Sequence, residues 1–268
     1  MNQLEQDHAL LLETVREGGA LALSYFHDGV KHWKKGPDDP VSEADHAVDD
    51  LLREKLCSGQ PTYGWLSEET EDDPQRLECS SVWVVDPIDG TRAFIEQREE
   101  FTVCAALVRD GRPVAGAVYN PATEEFYEAF LGGGARLNGK PIKVTTTPDF
   151  EGSRLLTGRY MFMQSPAKDK PRDVTLHMVN SIAYRMCLVA DGRYDACISL
   201  SGKCDWDIAA AELILAEAGG VNSNSCGEGF RYNQSDTLHK SVIGAGPALH
   251  AHILTFLETI KRPPGSKW

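Results

Sequence analysis

The stretch WVVDPIDGTRAFIE (83–96) is the part of the sequence from which the rest of the chain is best interpreted. The apolar run at 82–85 predicts a buried strand, and a turn rich in Asp, Pro and Gly follows it before a helical segment begins. Asp86 and Asp89 both lie in this turn. Two carboxylates are therefore expected to project from one strand end.

The turn combines groups that suit a metal ion with groups that suit a phosphate. Asp86 and Asp89, three residues apart across a proline, can share a hard cation while the carbonyl of Ile88 faces the same way. Oxygen-only ligation favours Mg²⁺ over Zn²⁺. The backbone amides of Gly90 and Thr91, at the start of the helix, are placed to hold phosphate oxygens. An alternative interpretation is an ordinary turn in which Asp89 caps the following helix.

Length and charge limit the classes of protein to which the chain can belong. Its 268 residues suffice for one large α/β unit, with expected halves at 1–147 (metal site and antiparallel sheet) and 148–268 (substrate-side sheet and helices). The formal charge of −13, without a Lys/Arg cluster, argues against nucleic acid polymers and anionic membranes as partners. The negative charge of the protein would also repel a phosphate substrate, so binding of such a substrate would require a local cation at the site.

The sequence lacks signals for a membrane, for secretion and for a structural metal. No stretch approaches the roughly 20 apolar residues of a membrane span, and the acidic, helical pattern of 1–19 differs from a signal peptide. We therefore expect a cytoplasmic protein. The seven cysteines are odd in number and lack Cys-x-x-Cys spacing, so neither a disulfide framework nor a zinc site is indicated.

Hydrophobic periodicity predicts helices and strands in alternation. A long amphipathic helix ends near Gly29, and a polar link (31–40) precedes a second helix that begins at Ser42. After the central turn come the strands of an antiparallel meander and a hairpin into one further strand, at 101–108, 113–119, 125–131 and 142–145. The second half predicts further strands, a polar loop at 164–173, and helices beginning at Ser181, near Asp207 and near Leu249.

Several acids outside the turn have a structural interpretation of their own. Asp45 and Ser42 have the Ser-x-x-acid spacing of a capping box, and Asp207 lies at the N-terminus of an alanine-rich helix. Glu68 and Glu69 end a short apolar segment that precedes an acidic loop. Local pattern alone leaves these acids as helix caps or surface charges.

Taken together, these stretches resemble a known family. PVSEAD (40–45), WLSEE (65–69), DPIDGT (86–91) and WDIAAAELILAEAGG (206–220) are similar, in order and rough spacing, to motifs of the inositol monophosphatase superfamily of Mg²⁺-dependent, often lithium-sensitive phosphatases. The similarity extends over about residues 4–260. It implies an α/β fold of the αβαβα five-layer sandwich type, and hydrolysis of a small phosphorylated metabolite. Related enzymes are commonly dimers, so a homodimer is expected.

The resemblance also implies a role for each acid, with two to three Mg²⁺ ions bound per site. The implied ligands are Glu68, Asp86 and the Ile88 carbonyl for a first ion, Asp86, Asp89 and Asp207 for a second, and Asp45 and Glu68 through water for a third. Thr91 would hydrogen-bond a metal-bound water that Asp45 orients, which makes Glu68, Thr91 and Asp45 the implied catalytic residues. The implied substrate-binding residues are Asp89, Gly90, Thr91, Ser181, Arg185, Lys203 and Asp207.

The substrate is the part on which the sequence departs from the family pattern. Members that act on inositol phosphates commonly carry a glutamate shortly before the Trp-Asp motif, whereas CISLSGKCDWD (197–207) has no acid before Asp205. Lys203, with Arg185 on the preceding helix, could serve a second phosphate. This favours a 3′(2′),5′-bisphosphate nucleotidase that converts 3′-phosphoadenosine 5′-phosphate to AMP and phosphate. Inositol-1-monophosphatase, histidinol-phosphatase, fructose-1,6-bisphosphatase and a regulatory binding protein of low turnover are the alternatives.

Overall fold

The central strand is buried along its whole length because both faces of its sheet are covered. In the computed structural model, which describes residues 2–36, 39–158 and 173–260, β4 (Ser81–Asp89) is buried at every position. Its side chains alternate between two apolar cores, with Trp83 on one side and Val84 on the other. A run of apolar residues without alternation is therefore what this strand requires.

Within the described residues, β4 belongs to a sheet of seven strands, in the order β3 to β9. The other members are β3 (Gly64–Ser67), β5 (Thr102–Arg109), β6 (Arg112–Asn120), β7 (Glu125–Phe130), β8 (Ala135–Leu137) and β9 (Lys140–Pro141). β3 pairs with β4 in parallel and the following pairs are antiparallel, so the predicted meander is confirmed. Chain order and spatial order coincide because short connections join neighbouring strands.

Two helices cover one face of this sheet. α1 (Gln3–Asp28) begins with a capping box at Asn2 and ends at Gly29, and α2 (Glu43–Gly59) begins with the predicted capping box of Ser42 and Asp45. The apolar sides of both helices pack on the sheet in one core. The prediction of a polar link between them is wrong in part, because β1 (His32–Gly36) and β2 (Asp39–Ser42) form an antiparallel hairpin there.

The other face of the large sheet packs on helices that separate it from a second sheet. α4 (Ile182–Ala190) and α5 (Asp205–Glu217) contribute to a core shared by both sheets. Over the described ranges the second sheet has five strands, and α6 (Pro247–Thr259) packs on its outer face. Its strands are, in spatial order, β11 (Thr175–His177), β10 (Arg154–Leu156), β12 (Ala196–Ser199), β16 (Val242–Ala245) and β14 (Val221–Ser223). The expected αβαβα layering is confirmed.

Short elements complete the fold. A five-residue helix, α3 (Thr91–Ile95), follows β4, and β13 (Lys203–Cys204) pairs with β15 (Leu238–His239) beside the start of α5. The predicted strand at 142–145 is wrong: this segment runs beside the end of α5, where the amide of Val144 donates to the carbonyl of Ala218. The predicted loop at 164–173 lies, except for its last residue, outside the described residues. Among the described helices, none has the length and hydrophobicity needed to cross a membrane.

Candidate active site

The acidic turn is shaped by an irregularity in strand pairing. Asp86 pairs with Cys104 and Asp89 with Thr102, so β4 carries one more residue than β5 between these two positions. The amide of Ile88 donates to Asp86 Oδ1 at 3.0 Å, which fixes the carboxylate against the turn. As a result, Asp86 and Asp89 point toward the same space.

A third acid reaches this space from the other half of the chain. One carboxylate oxygen each from Asp86, Asp89 and Asp207 lie within 4.8 Å of one another. Asp207 is held there because its Oδ2 accepts from the amide of Cys204, the residue before α5, at 2.5 Å. Asp207 is therefore not the N-cap that the sequence suggested: it is the third residue of α5, and its bond to the N-cap Cys204 positions the acid.

Gly90 allows the chain to turn directly after the acids. Its φ of +100° lies in the left-handed region, and a Cβ at this position would stand 2.7 Å from the carbonyl oxygen of Glu100. Any other residue would be strained here and would collide with backbone. Gly90, rather than Asp89, is the N-cap of α3.

Asp89 caps a helix, but not the one that follows it in sequence. Its Oδ2 accepts from the hydroxyl of Ser181 and from the amide of Ala183, both at 2.7 Å, at the N-terminus of α4. Ser181 in turn accepts from the amide of Tyr184. The alternative interpretation of Asp89 as the cap of its own helix is thus wrong, since the partner lies about 90 residues away.

Asp45 and Thr91 form a second hydrogen-bonded group at the turn. Asp45 Oδ2 accepts from the amide and the hydroxyl of Ser42, at 2.8 and 2.5 Å. The hydroxyl of Thr91 lies 3.3 Å from Asp45 Oδ1 and 3.0 Å from the carbonyl oxygen of Ile88. One oxygen of Asp45 therefore serves the helix cap while the other faces Thr91.

Lys35 is a residue near the site that the sequence pattern did not identify. Its Nζ lies 2.5 Å from Glu69 Oε1 and 3.6 Å from Glu68 Oε1. The β1–β2 hairpin carries Lys35 to these acids, and the pairing of that hairpin was not predicted. The feature from which this contact could have been predicted is the presence of a lysine in a short polar link of an otherwise acidic protein.

Burial and mutual repulsion raise the pKa values of the clustered carboxyls. Burial is the main cause for Glu68, whose pKa rises to about 8, and for Asp207, whose pKa rises to about 6. The pKa of Asp86 is raised by burial and then by Glu68, Asp89 and Asp207. The pKa values of Asp89 and Asp45 are also raised by burial. Such a cluster of acids is costly unless cations compensate it.

An unsatisfied oxygen gives an independent indication that a cation fits here. Among the described residues, Asp86 Oδ2 is buried without a hydrogen-bond partner. Buried polar atoms are nearly always paired, and an exception commonly marks a ligand or ion. The donor set consists of carboxylate and carbonyl oxygens, which suits Mg²⁺ or another hard divalent cation.

The acids open into a cleft of about 300 Å³, hereafter the phosphate cleft. Arg185 and Lys203 line its wall and lie close enough to Asp89 and Asp207 to offset part of the rise that burial causes in the pKa values of these acids. All the substrate-binding residues predicted from sequence line this cleft, as do Glu68, Asp86 and Ile88. Asp45 is not one of the lining residues, but its Oδ1 lies 3.3 Å from the hydroxyl of Thr91, which is one. The sequence analysis missed Pro40, Arg92, Asn180 and Ile182, which complete the lining.

Comparison with known proteins gives one consistent family. The model of the inositol monophosphatase family matches residues 3–262. An inositol-1-monophosphatase of Rhizobium meliloti is 34% identical over 246 residues, covering 87% of this chain and 87% of its own. The 3′(2′),5′-bisphosphate nucleotidase CysQ of Aggregatibacter actinomycetemcomitans is 31% identical, covering 85% and 88%. A histidinol-phosphatase of Chlorobaculum parvum is 30% identical, covering 92% and 95%.

Solved structures agree with the fold. The inositol monophosphatase from Anabaena sp. PCC 7120 superimposes with a TM-score of 0.78 at 25% identity, covering all of both chains. SaIMPase-II, crystallised with 2′AMP bound, superimposes with a TM-score of 0.78 at 25% identity and covers 93% of both chains.

Proposed function

The chain belongs to the inositol monophosphatase family of phosphatases, and we propose that it is a Mg²⁺-dependent phosphomonoesterase whose preferred substrate is a 3′(2′),5′-bisphosphate nucleotide. The reaction would release inorganic phosphate from a small metabolite, with 3′-phosphoadenosine 5′-phosphate yielding AMP. We also propose that the protein acts as a homodimer, which light scattering tests.

The observation that carries the proposal is the convergence of carboxylates at the end of β4. Asp86, Asp89 and Asp207 bring oxygens within 4.8 Å of one another around a buried, unsatisfied oxygen of Asp86. Glu68, the Ile88 carbonyl and, through water, Asp45 would complete the ligands of two to three ions. Divalent cations bound there would neutralise phosphate charge and make water acidic enough to attack at neutral pH.

The residues of the chain would orient the attacking water and take its proton. The hydroxyl of Thr91, when it donates to Asp45 Oδ1, can accept a hydrogen bond from the water through its own oxygen. Asp45 Oδ1, the carboxylate oxygen that does not bond to Ser42, lies 3.3 Å from this hydroxyl and is placed to accept the proton. Thr91 and Asp45 would thus form a short path for the proton away from the reacting water.

Other residues of the same cleft would hold the substrate. Gly90 and Thr91 line the cleft beside the acids, and their amides would hold oxygens of the transferring phosphoryl group. Arg185 and Lys203 would pair with a second anionic group, because guanidinium and ammonium groups bind phosphate through charge-assisted hydrogen bonds. Ser181 would keep Asp89 oriented while lining the cleft.

A second phosphate explains these two cations better than a neutral polyol does. The bisphosphate nucleotidase among the relatives and the solved neighbour with bound 2′AMP support a nucleotide. Inositol 1-phosphate is the second candidate substrate, because one relative, 34% identical to this chain, is an inositol-1-monophosphatase. The segment 197–207, which lacks an acid before Asp205, argues against it.

Substrate comparison tests this proposal. We expect Mg²⁺-dependent phosphate release with kcat/KM highest for 3′-phosphoadenosine 5′-phosphate, among a set that includes inositol 1-phosphate, histidinol phosphate and fructose 1,6-bisphosphate. The variants Arg185→Gln and Lys203→Gln should each lower kcat/KM for the bisphosphate about tenfold. Their effect on 2′-AMP, which has one phosphate, should be smaller.

Lys140→Gln is the matched control, since Lys140 is an exposed cation on β9 outside the cleft. It should leave all substrates unchanged. A preference for inositol 1-phosphate that survives both cleft variants would contradict the nucleotide assignment. Absence of release from every ester would instead support a regulatory binding protein.

A further inference from the structure

A second cavity of about 470 Å³ adjoins the phosphate cleft. Pro40 and Arg92 line both cavities, so the two spaces meet at these residues. The second cavity extends along α3, whose first residue is Thr91 and whose last is Ile95. We call it the hairpin pocket, because His32, Trp33 and Lys34 of β1 form its other side.

The hairpin pocket contains an exposed indole. Trp33 is 46% exposed although it is one of the largest apolar side chains. Its ring stacks on the imidazole of His46, with ring centroids 5.6 Å apart and an interplanar angle of 17°. Its strand partner, Val41, is fully buried and anchors the hairpin. The indole is therefore held in one orientation at a pocket wall rather than left on a mobile surface.

The lining suits a flat ring that carries polar edges. Trp33, Pro40 and Ile95 supply apolar surface, while Arg92 and Glu96 add a donor and an acceptor to the lining. Aromatic rings of nucleic acid bases bind proteins by stacking on such side chains, and Arg adds a cation–π contact. The volume also falls within the roughly 300–1,000 Å³ of small-molecule sites.

We propose that the hairpin pocket binds the nucleobase of the substrate while the ester phosphate lies in the phosphate cleft. The proposal rests on the proposed function and deepens it, because it names the part of the molecule that selects the leaving group. Trp33 stacks on the base, and Ile95 and Pro40 cover its edge. Arg92, which lines both cavities, lies between base and phosphate.

The test compares an ester that has a base with one that has no ring, 2′-AMP and glycerol 2-phosphate. Trp33→Ala should lower kcat/KM for 2′-AMP about tenfold, mainly through KM, and Trp33→Phe should restore most of the loss. Ile95→Trp should reduce kcat/KM for 2′-AMP because it fills the pocket. Turnover of glycerol 2-phosphate should change less than about twofold in all three variants.

Leu131→Ala serves as the matched control, because Leu131 is 58% exposed and follows β7, outside both cavities. It should leave both substrates unchanged. An equal loss for both esters in Trp33→Ala would overturn the proposal, since Trp33 would then support the fold or the phosphate cleft rather than the base.

A binding measurement separates this proposal from the proposed function. Calorimetric titration of 2′-AMP into the Mg²⁺-loaded protein needs no turnover. Trp33→Ala should weaken its Kd about tenfold and leave the Kd of inorganic phosphate unchanged. Unchanged affinity for 2′-AMP would overturn the pocket assignment even in an active phosphatase. Loss of base-dependent affinity in a protein without turnover would support the pocket and contradict the enzymatic proposal.

Discussion

At the scale of the residue, each acid of the site uses its two oxygens differently. Asp45 and Asp207 give one oxygen to a helix cap, and Asp89 gives one to the N-terminus of α4. These bonds fix the side chains without metal, so the site is organised before a cation binds. Structural and functional interpretations of these acids are therefore compatible.

The most specific prediction for a single residue concerns the hydroxyl of Thr91. Thr91→Val keeps the shape but removes the hydroxyl that lies between Asp45 and the Ile88 carbonyl. We expect kcat to fall about 100-fold or more, in line with the loss of a proton-transfer group. KM should stay near the wild-type value, because the phosphate contacts remain.

Thr91→Ser is the control, since it retains the hydroxyl and should keep at least about a tenth of the activity. Near-normal kcat in Thr91→Val would contradict the proposed proton path. Steady-state phosphate release measures the activity of both variants, and circular dichroism checks that both are folded.

At the scale of the element, helices and the hairpin bring distant residues to the turn. Asp207 lies in the first turn of α5, and the core between the two sheets holds α5 in place. The β1–β2 hairpin carries Lys35 to Glu69 and Trp33 to the second cavity. These elements bring together, at one site, residues that are far apart in the sequence.

α5 also carries a buried acid that predicts a pH dependence of stability. Burial raises the pKa of Glu212 to about 7, while Tyr232, Arg112 and His239 oppose this shift. Between its unfolded pKa near 4.5 and about 7, the folded state holds more protons at this carboxyl than the unfolded state. The free energy of unfolding therefore falls as pH rises through this range.

Glu212→Gln should remove this dependence. We expect its Tm to match the wild type at pH 5 and to exceed it at pH 8 by about 4 °C or more. Thermal unfolding at the two pH values, with Glu217→Gln on the same helix as control, makes the test. A Tm difference that does not grow with pH would contradict the raised pKa.

At the scale of the whole molecule, the cleft lies where the large sheet meets the helices that separate it from the second sheet. β4 of the large sheet supplies Asp86 and Asp89, and α4 and α5 supply Arg185 and Asp207. Four further acids, Glu68, Asp89, Asp207 and Asp45, lie close enough to Asp86 to raise its pKa, so the fold gathers negative charge in this space. A bound cation would compensate charge that the fold itself cannot neutralise.

The sequence predicted the local parts of this arrangement well. The strand before Asp86, the capping box at Asp45 and the meander all depend on residues within one short segment, where hydrophobic period and turn chemistry are informative. The motif resemblance placed the distant acids together. The structure brings the predicted substrate-binding residues to one cleft, and their roles stay predictions.

The parts that sequence reasoning missed depend on pairing across long distances. Asp89 binds the N-terminus of α4, and Val144 bonds to Ala218 instead of continuing a strand. Lys35 reaches Glu69 only because β1 and β2 pair. None of these contacts leaves a periodic pattern in its own segment, so tertiary context decides them.

The central claim is that Asp86, Asp89 and Asp207 hold a divalent cation, and thermal unfolding with and without Mg²⁺ tests it most directly. The comparison uses the wild type, Asp86→Asn and Asp7→Asn. Asp7 is a fully buried acid of α1 that pairs with Arg109 and Tyr63, which makes it a matched substitution outside the cluster.

We predict that Mg²⁺ raises the Tm of the wild type, because a ligand that binds only the folded state stabilises it. Asp86→Asn should abolish that rise and should have a higher Tm than the wild type without metal, since it removes one of several repelling buried charges. Asp7→Asn should lower the Tm but keep the rise. A full Mg²⁺ response in Asp86→Asn would contradict the account.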